Sequence, residues 1–255
     1  MAQSIPNIAD YAADRKYVMI DIHTHILPEI DDGSRSVDES VSMLETLFRQ
    51  GVDTVAATPH FYVDRIGFDE FIEMREKSAK KLAAAVEAIP DRPGIALGAE
   101  VQFFSEMYSF EKLNMLCIGG TRYILVEMPF ERWTEYTYQA LERIYFNRGI
   151  IPIIAHVERY MRFNKTKEML PRIVEANAQI QINSGFLQSG KTRRKAVGML
   201  KDGRVSFVAS DCHNMTSRPP NLSEGMQIVK KKLGTAGTEH LRRRELALKE
   251  KLQVF

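Results

Sequence analysis

The sequence is poor in the features that mark secreted, membrane-spanning and disulfide-stapled proteins. It contains two cysteines in 255 residues, which make no disulfide framework and no Cys-x-x-Cys pair. Its beginning, MAQSIPNIADYAADRKY, lacks the apolar core of a signal peptide. No apolar run approaches the ~18 residues needed to span a bilayer. These absences predict a reduced, cytoplasmic protein without membrane insertion.

An excess of charge of either sign is also absent. The chain has 35 Lys and Arg against 33 Asp and Glu, a formal net charge of +2, so composition indicates no nucleic-acid partner. The cations are nevertheless concentrated near the end of the chain, with KKK at 230–232 and RRR at 242–244. A solvated helix face is the simplest explanation of such runs, and docking to an acidic surface is the sharper alternative.

Short apolar, β-branched segments alternate with amphipathic helical segments. The predicted strands are YVMIDIH (17–23), VDTVAAT (52–58), GIALGAE (94–100), YILVEM (123–128), IPIIAH (151–156), AQIQIN (178–183) and VSFVAS (205–210). Continuous apolar strands are typical of parallel sheets, which are buried on both faces. Seven strand–helix repeats predict a closed parallel barrel or a doubly wound sheet. We expect one domain over residues 1–255, with its core at about 18–235, a short N-terminal extension and a basic C-terminal helical segment.

The first helix has readable ends in the sequence. Ser36 and Glu39 have the spacing of a capping box, and Gly51 is placed to end the helix. Apolar residues recur between them at helical spacing: Val37, Val41, Leu44 and Phe48. Residues 60–70 and 184–192 are predicted to be loops.

Histidines and carboxylates fall at the C-terminal ends of the predicted strands. Five of the six histidines do so, namely His23, His25, His60, His156 and His213. Carboxylates take equivalent positions at Glu100, Glu127 and Asp211. Because the C-terminal ends of parallel strands converge on one mouth, we expect these distant residues to meet there. Singly, each could be a structural histidine or a carboxylate paired with an arginine, but the set as a whole predicts a site.

Imidazole and carboxylate together are ligands that divalent transition metals prefer. A His-x-His sequence on one strand directs both rings to the same side, and Asp211 and His213 can do likewise. The set exceeds the needs of one ion, so we expect two or three, an arrangement that serves phosphate-ester hydrolysis. Arg159 and Arg218 would lie on loops above the same mouth, where guanidinium groups could bind phosphate; a surface salt bridge is the alternative for each.

The segment SDCHNMTSR (210–218) also allows a different chemistry. Cys212 and Arg218 have the Cys-x5-Arg spacing of phosphatases that attack phosphate with a thiolate. The loop, however, has no glycine to help form a cradle of backbone N–H groups, and the negative charge of Asp211 should raise the thiol pKa. If Asp211 and His213 face the mouth, alternation turns Cys212 away. The metal interpretation is therefore favoured.

Six segments together resemble a known family. DIHTHILPEIDDG, ATPH, GAE, VEM, AHVERY and SDCHNMTSRPP, in this order and spacing, resemble the polymerase and histidinol phosphatase (PHP) superfamily. Within it, they resemble the bacterial manganese-dependent protein tyrosine phosphatases of capsule and exopolysaccharide operons. The resemblance covers residues 18 to about 235. It implies an α/β fold, a distorted (β/α)7 TIM-like barrel, and a centre that binds two or three Mn²⁺ ions, with Fe, Zn or Co accepted in vitro.

The resemblance also implies which residues hold the ions. One ion would be held by His23, His25, Glu100 and Asp211. Glu100 would bridge to a second ion, held with Glu127 and His156. A third ion would be held by His60, His213 and a carboxylate from either Asp31 or Asp32.

The remaining implied roles concern the substrate. Arg159 and Arg218 match the family's phosphate-binding, catalytic arginines. The nucleophile would be a metal-bridging hydroxide, and no residue would be covalently phosphorylated. The family's aromatic neighbours could correspond to Phe61, Tyr62 or Trp133, and none of these three is assigned.

The activity implied is hydrolysis of phosphotyrosine on a partner bacterial tyrosine kinase that regulates polysaccharide export. The same site could instead serve a histidinol-phosphate or other small-molecule phosphoesterase, although the DDG and RPP elements favour the first activity. A non-catalytic, metal-binding regulatory module is the alternative from another class. Such modules usually lose ligands, whereas this sequence retains the full set.

Overall fold

The computed structural model describes residues 19–255, and the predicted N-terminal extension lies outside them. Nine strands are formed in this part of the chain: β1 Ile20–Thr24, β2 Thr54–Ala57, β3 His60–Phe61, β4 Gly94–Leu97, β5 Glu100–Gln102, β6 Tyr123–Glu127, β7 Ile151–Ile154, β8 Gln179–Asn183 and β9 Phe207–Ala209. They form a three-stranded sheet, β1-β2-β4, and a six-stranded sheet, β3-β5-β6-β7-β8-β9. Every pair is parallel, which confirms the predicted α/β fold with parallel sheets.

Two of the predicted strands are each divided between the sheets. The run 52–58 forms β2 and is followed, after Pro59, by β3, while the run 94–100 forms β4 and ends on the first residue of β5. Proline cannot donate to a sheet ladder, so the division falls at Pro59. Hydrogen bonds still cross the gap, from Gly98 N to Ala57 O (2.9 Å) and from Glu100 N to Pro59 O (3.0 Å).

The chain beyond β9 pairs with the end of β1. Asp211 N donates to His23 O, and His25 N donates to Cys212 O, both at 2.9 Å. This pairing brings the last strand end beside the first. The C-terminal ends of strands that are far apart in sequence therefore meet at one place.

Seven helices flank the strands of residues 19–255: α1 Val37–Arg49, α2 Phe68–Val86, α3 Glu135–Arg148, α4 Thr166–Glu175, α5 Ser184–Gln188, α6 Arg193–Lys201 and α7 Leu222–Lys249. None of them is long and apolar enough to cross a membrane. The prediction of a loop over 184–192 is wrong for α5, because Ser184 Oγ and Gln188 Nε2 both donate to Asn221 O, a tertiary contact that the local sequence does not signal. The predicted loop 60–70 likewise begins in β3 and ends in α2.

Helix α1 begins as predicted but with a different reciprocal bond. Ser36 Oγ accepts from Glu39 N at 3.2 Å, whereas the Glu39 carboxylate accepts from Arg35 N at 2.9 Å rather than from the N-cap residue. The fully buried positions of the helix are Ser40, Met43, Leu44 and Leu47. Of the apolar residues predicted to line the helix, Leu44 is buried, whereas Val37, Val41 and Phe48 are half-buried at the margin of the buried face.

Strand side chains are buried on both faces, as the continuous apolar runs predict. An inner cluster joins residues of both sheets with the end of α7: Ile20, Ile22, Ala56, Ala96, Ile118, Leu125, Ile153, Ala155, Phe207, Ala209 and Leu248. A larger outer cluster lies between the strands and the helices. The strands thus form a rigid, fully covered scaffold, and side chains at their C-terminal ends are held in fixed positions.

Candidate metal centre

The first group of predicted ligands is buried in and just beyond β1, at the first residue of β5 and just beyond β9. His23 Nε2 lies 3.2 Å from Glu100 Oε2 and 3.3 Å from Asp211 Oδ1. His25 Nε2 lies 3.3 Å from the same Glu100 oxygen. All four side chains are 3% exposed or less. Two imidazoles and two carboxylates from three strands therefore converge on one point.

Glu100 also faces a second group through its other oxygen. His156 Nε2 lies 2.8 Å from Glu100 Oε1 and 3.6 Å from Glu127 Oε1. The two oxygens of Glu100 are thus directed to different histidines, the orientation that a bridging carboxylate needs. Glu127 ends β6, and His156 follows β7 by two residues.

A third group is formed by His60, His213 and Asp32. Asp32 Oδ1 lies 3.5 Å from His60 Nε2 and 3.4 Å from His213 Nε2. With His25, these residues can place four ligand atoms within 4.8 Å of one another. His60 Nδ1 and His213 Nε2 are buried and make no well-formed hydrogen bond, although each faces a carboxylate oxygen, Glu100 Oε2 at 3.1 Å and Asp32 Oδ1 at 3.4 Å. A divalent cation would give both imidazole nitrogens a ligand-binding partner.

Asp31 and Asp32 have different surroundings. Asp31 Oδ2 accepts from His25 Nδ1 (2.7 Å) and from His60 N (2.9 Å), and its Oδ1 accepts from Gly33 N (2.9 Å). The Asp31 carboxylate is therefore occupied in holding its neighbours, and it leaves the Nε2 atom of His25 free to bind an ion. The Asp32 side chain is 65% exposed and approaches two imidazoles directly.

Carboxylates control the protonation of the two β1 histidines. Burial lowers the pKa of His23, but the charges of Glu100 and Asp211 outweigh it and the pKa rises above its ordinary value. Burial likewise opposes the charged form of His25, and the bond and charge of Asp31 together with Glu100 nevertheless raise its pKa to about 10. Negative charge is thus in local excess around these two imidazoles.

Elsewhere in the site burial decides the direction. Burial lowers the pKa of His60 to about 4, so this imidazole is neutral and able to bind a metal at neutral pH. Burial, then the charge of Glu100, raises the pKa of Glu127 to about 7. A cation between these groups would lower the pKa of Glu127 and keep His60 in the neutral form that binds a metal.

The two predicted arginines meet at one carboxylate oxygen. Arg159 and Arg218 approach Asp211 Oδ2 at 2.5 and 2.8 Å, and each guanidinium side chain is about one-third exposed. Asp211 Oδ1, by contrast, is directed to the histidines. The arginines therefore mark the solvent side of the ligand cluster, where an incoming phosphate would meet two cationic donors.

Asn214 shapes the loop that carries Arg218. Its Oδ1 accepts backbone N–H groups from Thr216 (3.0 Å), Ser217 (2.8 Å) and Arg218 (3.2 Å), and His213 N donates to Arg218 O at 2.9 Å. The loop folds back on itself and returns Arg218 to the site. The sequence analysis missed Asn214, although asparagine at the start of a turn is a recognised signal.

Cys212 is enclosed in the protein interior, where a phosphate ester could not reach it. Its side chain is fully buried in the outer cluster. Burial, then the negative charges of Asp21 and Asp211, raises the pKa of the thiol well above its ordinary value. A thiol that is neutral and enclosed cannot serve as the nucleophile.

Two aromatic rings border the site. Tyr62 stacks on His60, with ring centroids 5.0 Å apart. Phe130, which is 44% exposed, lies parallel to His156 at 6.5 Å. Of the three aromatic candidates from the sequence, Phe61 and Trp133 are buried in the core. Phe130 was not among the sequence candidates, although its position three residues beyond the end of β6 places it near the predicted mouth.

The chain belongs to a family of capsular polysaccharide synthesis proteins. The model of this family, described as "Capsular polysaccharide synthesis, CpsB/CapC", matches residues 19–246. The match contains all three ligand groups and both arginines.

Two similar proteins are named as tyrosine-protein phosphatases. The chain is 32% identical to the tyrosine-protein phosphatase CpsB of Streptococcus agalactiae over 225 residues, which is 85% of this chain and 91% of that protein. It is also 32% identical to the tyrosine-protein phosphatase YwqE of Bacillus subtilis, over 85% of this chain and 86% of YwqE.

A solved structure is similar over nearly the whole fold. It comes from work on YwqE of Bacillus subtilis and CpsB of Streptococcus pneumoniae, described as metal-dependent tyrosine phosphatases. The TM-score is 0.80 at 28% identity, with 93% of this chain and 96% of the other covered.

Proposed function

We propose that this protein is a metal-dependent protein tyrosine phosphatase of capsular or extracellular polysaccharide biosynthesis. The observation that carries the proposal is the convergence of three His–carboxylate groups and two arginines at one mouth. The relatives that share the fold are named as tyrosine phosphatases, and the similar structure is described as metal-dependent. The two free, buried cysteines agree with a cytoplasmic location.

The donor set fits a centre of two or three divalent ions. The buried nitrogens of His60 and His213, which face carboxylate oxygens without a well-formed hydrogen bond, and the local excess of carboxylate support this assignment. We propose Asp32 as the third-group carboxylate, because Asp31 already accepts three hydrogen bonds. Nitrogen and oxygen ligands of this kind suit Mn²⁺, the proposed cofactor, and also accept Fe, Zn or Co.

The chain's own residues would then bind and orient the phosphate ester. Divalent ions, when bound, supply an activated water and positive charge at the phosphate oxygens. Arg159 and Arg218 would exchange their shared contact with Asp211 for the phosphate oxygens. Tyr62 borders the ligand set beside His60, and Phe130 borders it beside His156, where its exposed ring could contact an aromatic leaving group.

We also propose that the two sheets are parts of one distorted seven-strand barrel. The bonds from Gly98 to Ala57 and from Glu100 to Pro59 support continuity between the sheets. The pairing of Asp211 and Cys212 with the end of β1 supports closure. A barrel of this kind would have its active site at the C-terminal ends of the strands.

The proposed substrate is phosphotyrosine on a partner tyrosine kinase. The experiment compares kcat/KM of the Mn²⁺-loaded protein for a phosphotyrosine peptide, for an autophosphorylated bacterial tyrosine kinase, and for histidinol phosphate. A preference of tenfold or more for phosphotyrosine supports the proposal. A preference for histidinol phosphate would assign the site to a small-molecule phosphoesterase, and hydrolysis of none of the three would leave a metal-binding module.

A further inference from the structure

Strand β8 supplies none of the predicted metal ligands, yet two of its side chains lie directly against them. Gln181 is fully buried, and Asn183 ends the strand. Residues two apart on a strand project to the same side. The amide pair Gln181–Asn183 is therefore held beneath the ligands of β1, β7 and β9.

One backbone donor fixes the orientation of both amides. His156 N lies 2.7 Å from the Gln181 side chain, and because a backbone N–H can only donate, the atom that faces it must be Oε1. Gln181 Nε2 then donates to Asn183 Oδ1 at 2.8 Å. Asn183 is left to donate through Nδ2 to Asp211 Oδ2 at 2.7 Å. The sequence of donors and acceptors has only one consistent direction.

The same orientation selects the tautomer of His23. Gln181 Oε1 lies 3.3 Å from His23 Nδ1, and an amide oxygen can only accept, so the proton is on Nδ1. With the proton held on Nδ1, Nε2 is the nitrogen left for an ion, and it faces Glu100 and Asp211 at 3.2 and 3.3 Å. This is the tautomer that a metal-binding histidine requires.

The amide pair bonds to two residues whose backbone conformation is unusual for a residue other than glycine. His156 and Asp211 have φ angles of 31° and 56°, in the left-handed region that non-glycine residues seldom occupy. Such conformations persist where surrounding contacts hold them. Gln181 bonds the backbone of the first, and Asn183 bonds the side chain of the second.

Asn183 has a distinct task when phosphate binds. Asp211 Oδ2 accepts from Arg159, Arg218 and Asn183, and the two arginines would leave it for the phosphate. Asn183 is then the remaining donor that keeps the Asp211 carboxylate from turning. The Oδ1 atom of Asp211 would then continue to face the metal site while the arginines hold the phosphate.

We propose that Gln181 and Asn183 are positioning residues that set the His23 tautomer and hold His156 and Asp211 in place to bind metal. The inference rests on the proposed metal-dependent function. Neither residue would contact the substrate. Outer contacts of this kind typically contribute 10- to 100-fold to metal affinity.

The test measures the Kd for Mn²⁺ by competition with a chelating dye. Asn183→Leu removes the donor to Asp211, whereas Gln181→Met removes the acceptor for His156 and His23 and the donor to Asn183 without adding charge. Gln179→Ala is the matched control, since this glutamine lies on the same strand two residues before Gln181. Thermal unfolding of the metal-free proteins confirms that each variant folds, and if Asn183→Leu does not, the Gln181→Met variant carries the test.

Each single variant is expected to raise the Kd for Mn²⁺ 10- to 100-fold. Because the two amides act as one hydrogen-bonded unit, the double variant should raise the Kd no more than about twofold beyond the single variant with the larger effect. In Gln181→Ala, hydrogen exchange at the His156 amide should accelerate without any metal present. An unchanged Kd in folded Asn183→Leu or Gln181→Met, or an unchanged exchange rate, overturns the inference. Because these are binding and exchange readouts, a wild type that binds Mn²⁺ but hydrolyses no phosphotyrosine would refute the proposed function alone.

Discussion

At the scale of single residues, the two oxygens of Asp211 separate the metal side of the site from the phosphate side. Oδ1 is directed to the histidines, and Oδ2 accepts from Arg159 and Arg218. The charge of His23, then those of His156 and His25, hold the Asp211 carboxylate ionised, and its pKa lies below its ordinary value despite burial. The arginines are thereby kept at the mouth before substrate arrives.

Replacing Arg159 should therefore reduce turnover more than stability. Arg159→Ala removes one charged donor to the phosphate, and we expect kcat/KM for a phosphotyrosine peptide to fall about 10²–10³-fold. Arg162→Ala is the control, because Arg162 lies on the same short helical segment, Val157–Arg162, and stacks on Phe163 instead. Equal kcat/KM in the two variants would contradict the role given to Arg159.

Gly33 makes a second prediction at this scale. A Cβ atom at Gly33 would lie 2.3 Å from His25 O and 2.5 Å from His25 Cβ, so Gly33→Ala must displace His25, a proposed metal ligand. We expect a lower melting temperature and at least tenfold weaker Mn²⁺ binding. Gly67→Ala is the control, since nothing lies within 4 Å of its added Cβ. Wild-type melting and Mn²⁺ affinity in Gly33→Ala would show that the loop adjusts freely.

At the scale of elements, the sequence predicted where the ligands meet because strand periodicity and parallel order are enough to place strand ends. It missed the amide pair of β8, although AQIQIN carries Gln179, Gln181 and Asn183 at alternate positions in a buried strand. That alternation was a usable signal for polar side chains facing a site. Helix α5 could not be predicted, because its stabilising contacts come from Asn221, far along the chain.

Helix α7 buries a carboxylate against the strands. Burial, then the charges of Asp21 and Asp53, raises the pKa of Glu245 from 4.5 to about 8. Because the folded state binds this proton more tightly, the stabilising contribution is complete below pH 4.5 and is lost as the pH rises towards 8. One pKa unit corresponds to about 1.4 kcal/mol, so the loss is several kcal/mol at most.

Glu245→Gln should remove this dependence. We expect the metal-free variant to melt at a higher temperature than the wild type at pH 8, with little difference at pH 4.5. The measurement is the melting temperature of both proteins across this range, with Glu250→Gln on the exposed end of the same helix as control. A wild type whose stability is constant from pH 4.5 to 8 would contradict the burial of an ionisable Glu245.

At the scale of the whole molecule, the C-terminal segment holds the strands together. Leu248 joins the inner cluster, and Phe255 exchanges backbone hydrogen bonds with Ile95 of β4 at 3.0 and 3.1 Å. Gly119 leaves room for Leu252, which would lie 2.6 Å from an added Cβ. The sequence predicted a helical, basic segment here, but the apolar face that fills the inner cluster was hidden among its charges.

Shortening Leu248 should therefore destabilise the entire fold. Leu248→Ala would leave a cavity among the inner strand residues, and we expect the free energy of unfolding to fall by about 2–5 kcal/mol in urea titrations. Leu246→Ala, at a half-buried position on the same helix, should cost clearly less. Equal losses for the two variants would mean that α7 packs on the strands without filling them.

The central claim, that bound metal rather than Cys212 drives phosphate-ester hydrolysis, is tested most directly by one measurement. The protein is stripped with chelator, and hydrolysis of a phosphotyrosine peptide is followed with and without added Mn²⁺, for the wild type and Cys212→Ala. We predict that both proteins are inactive without metal and that Mn²⁺ restores both to similar rates. Activity of the stripped wild type that disappears in Cys212→Ala would contradict the claim and return catalysis to the thiol.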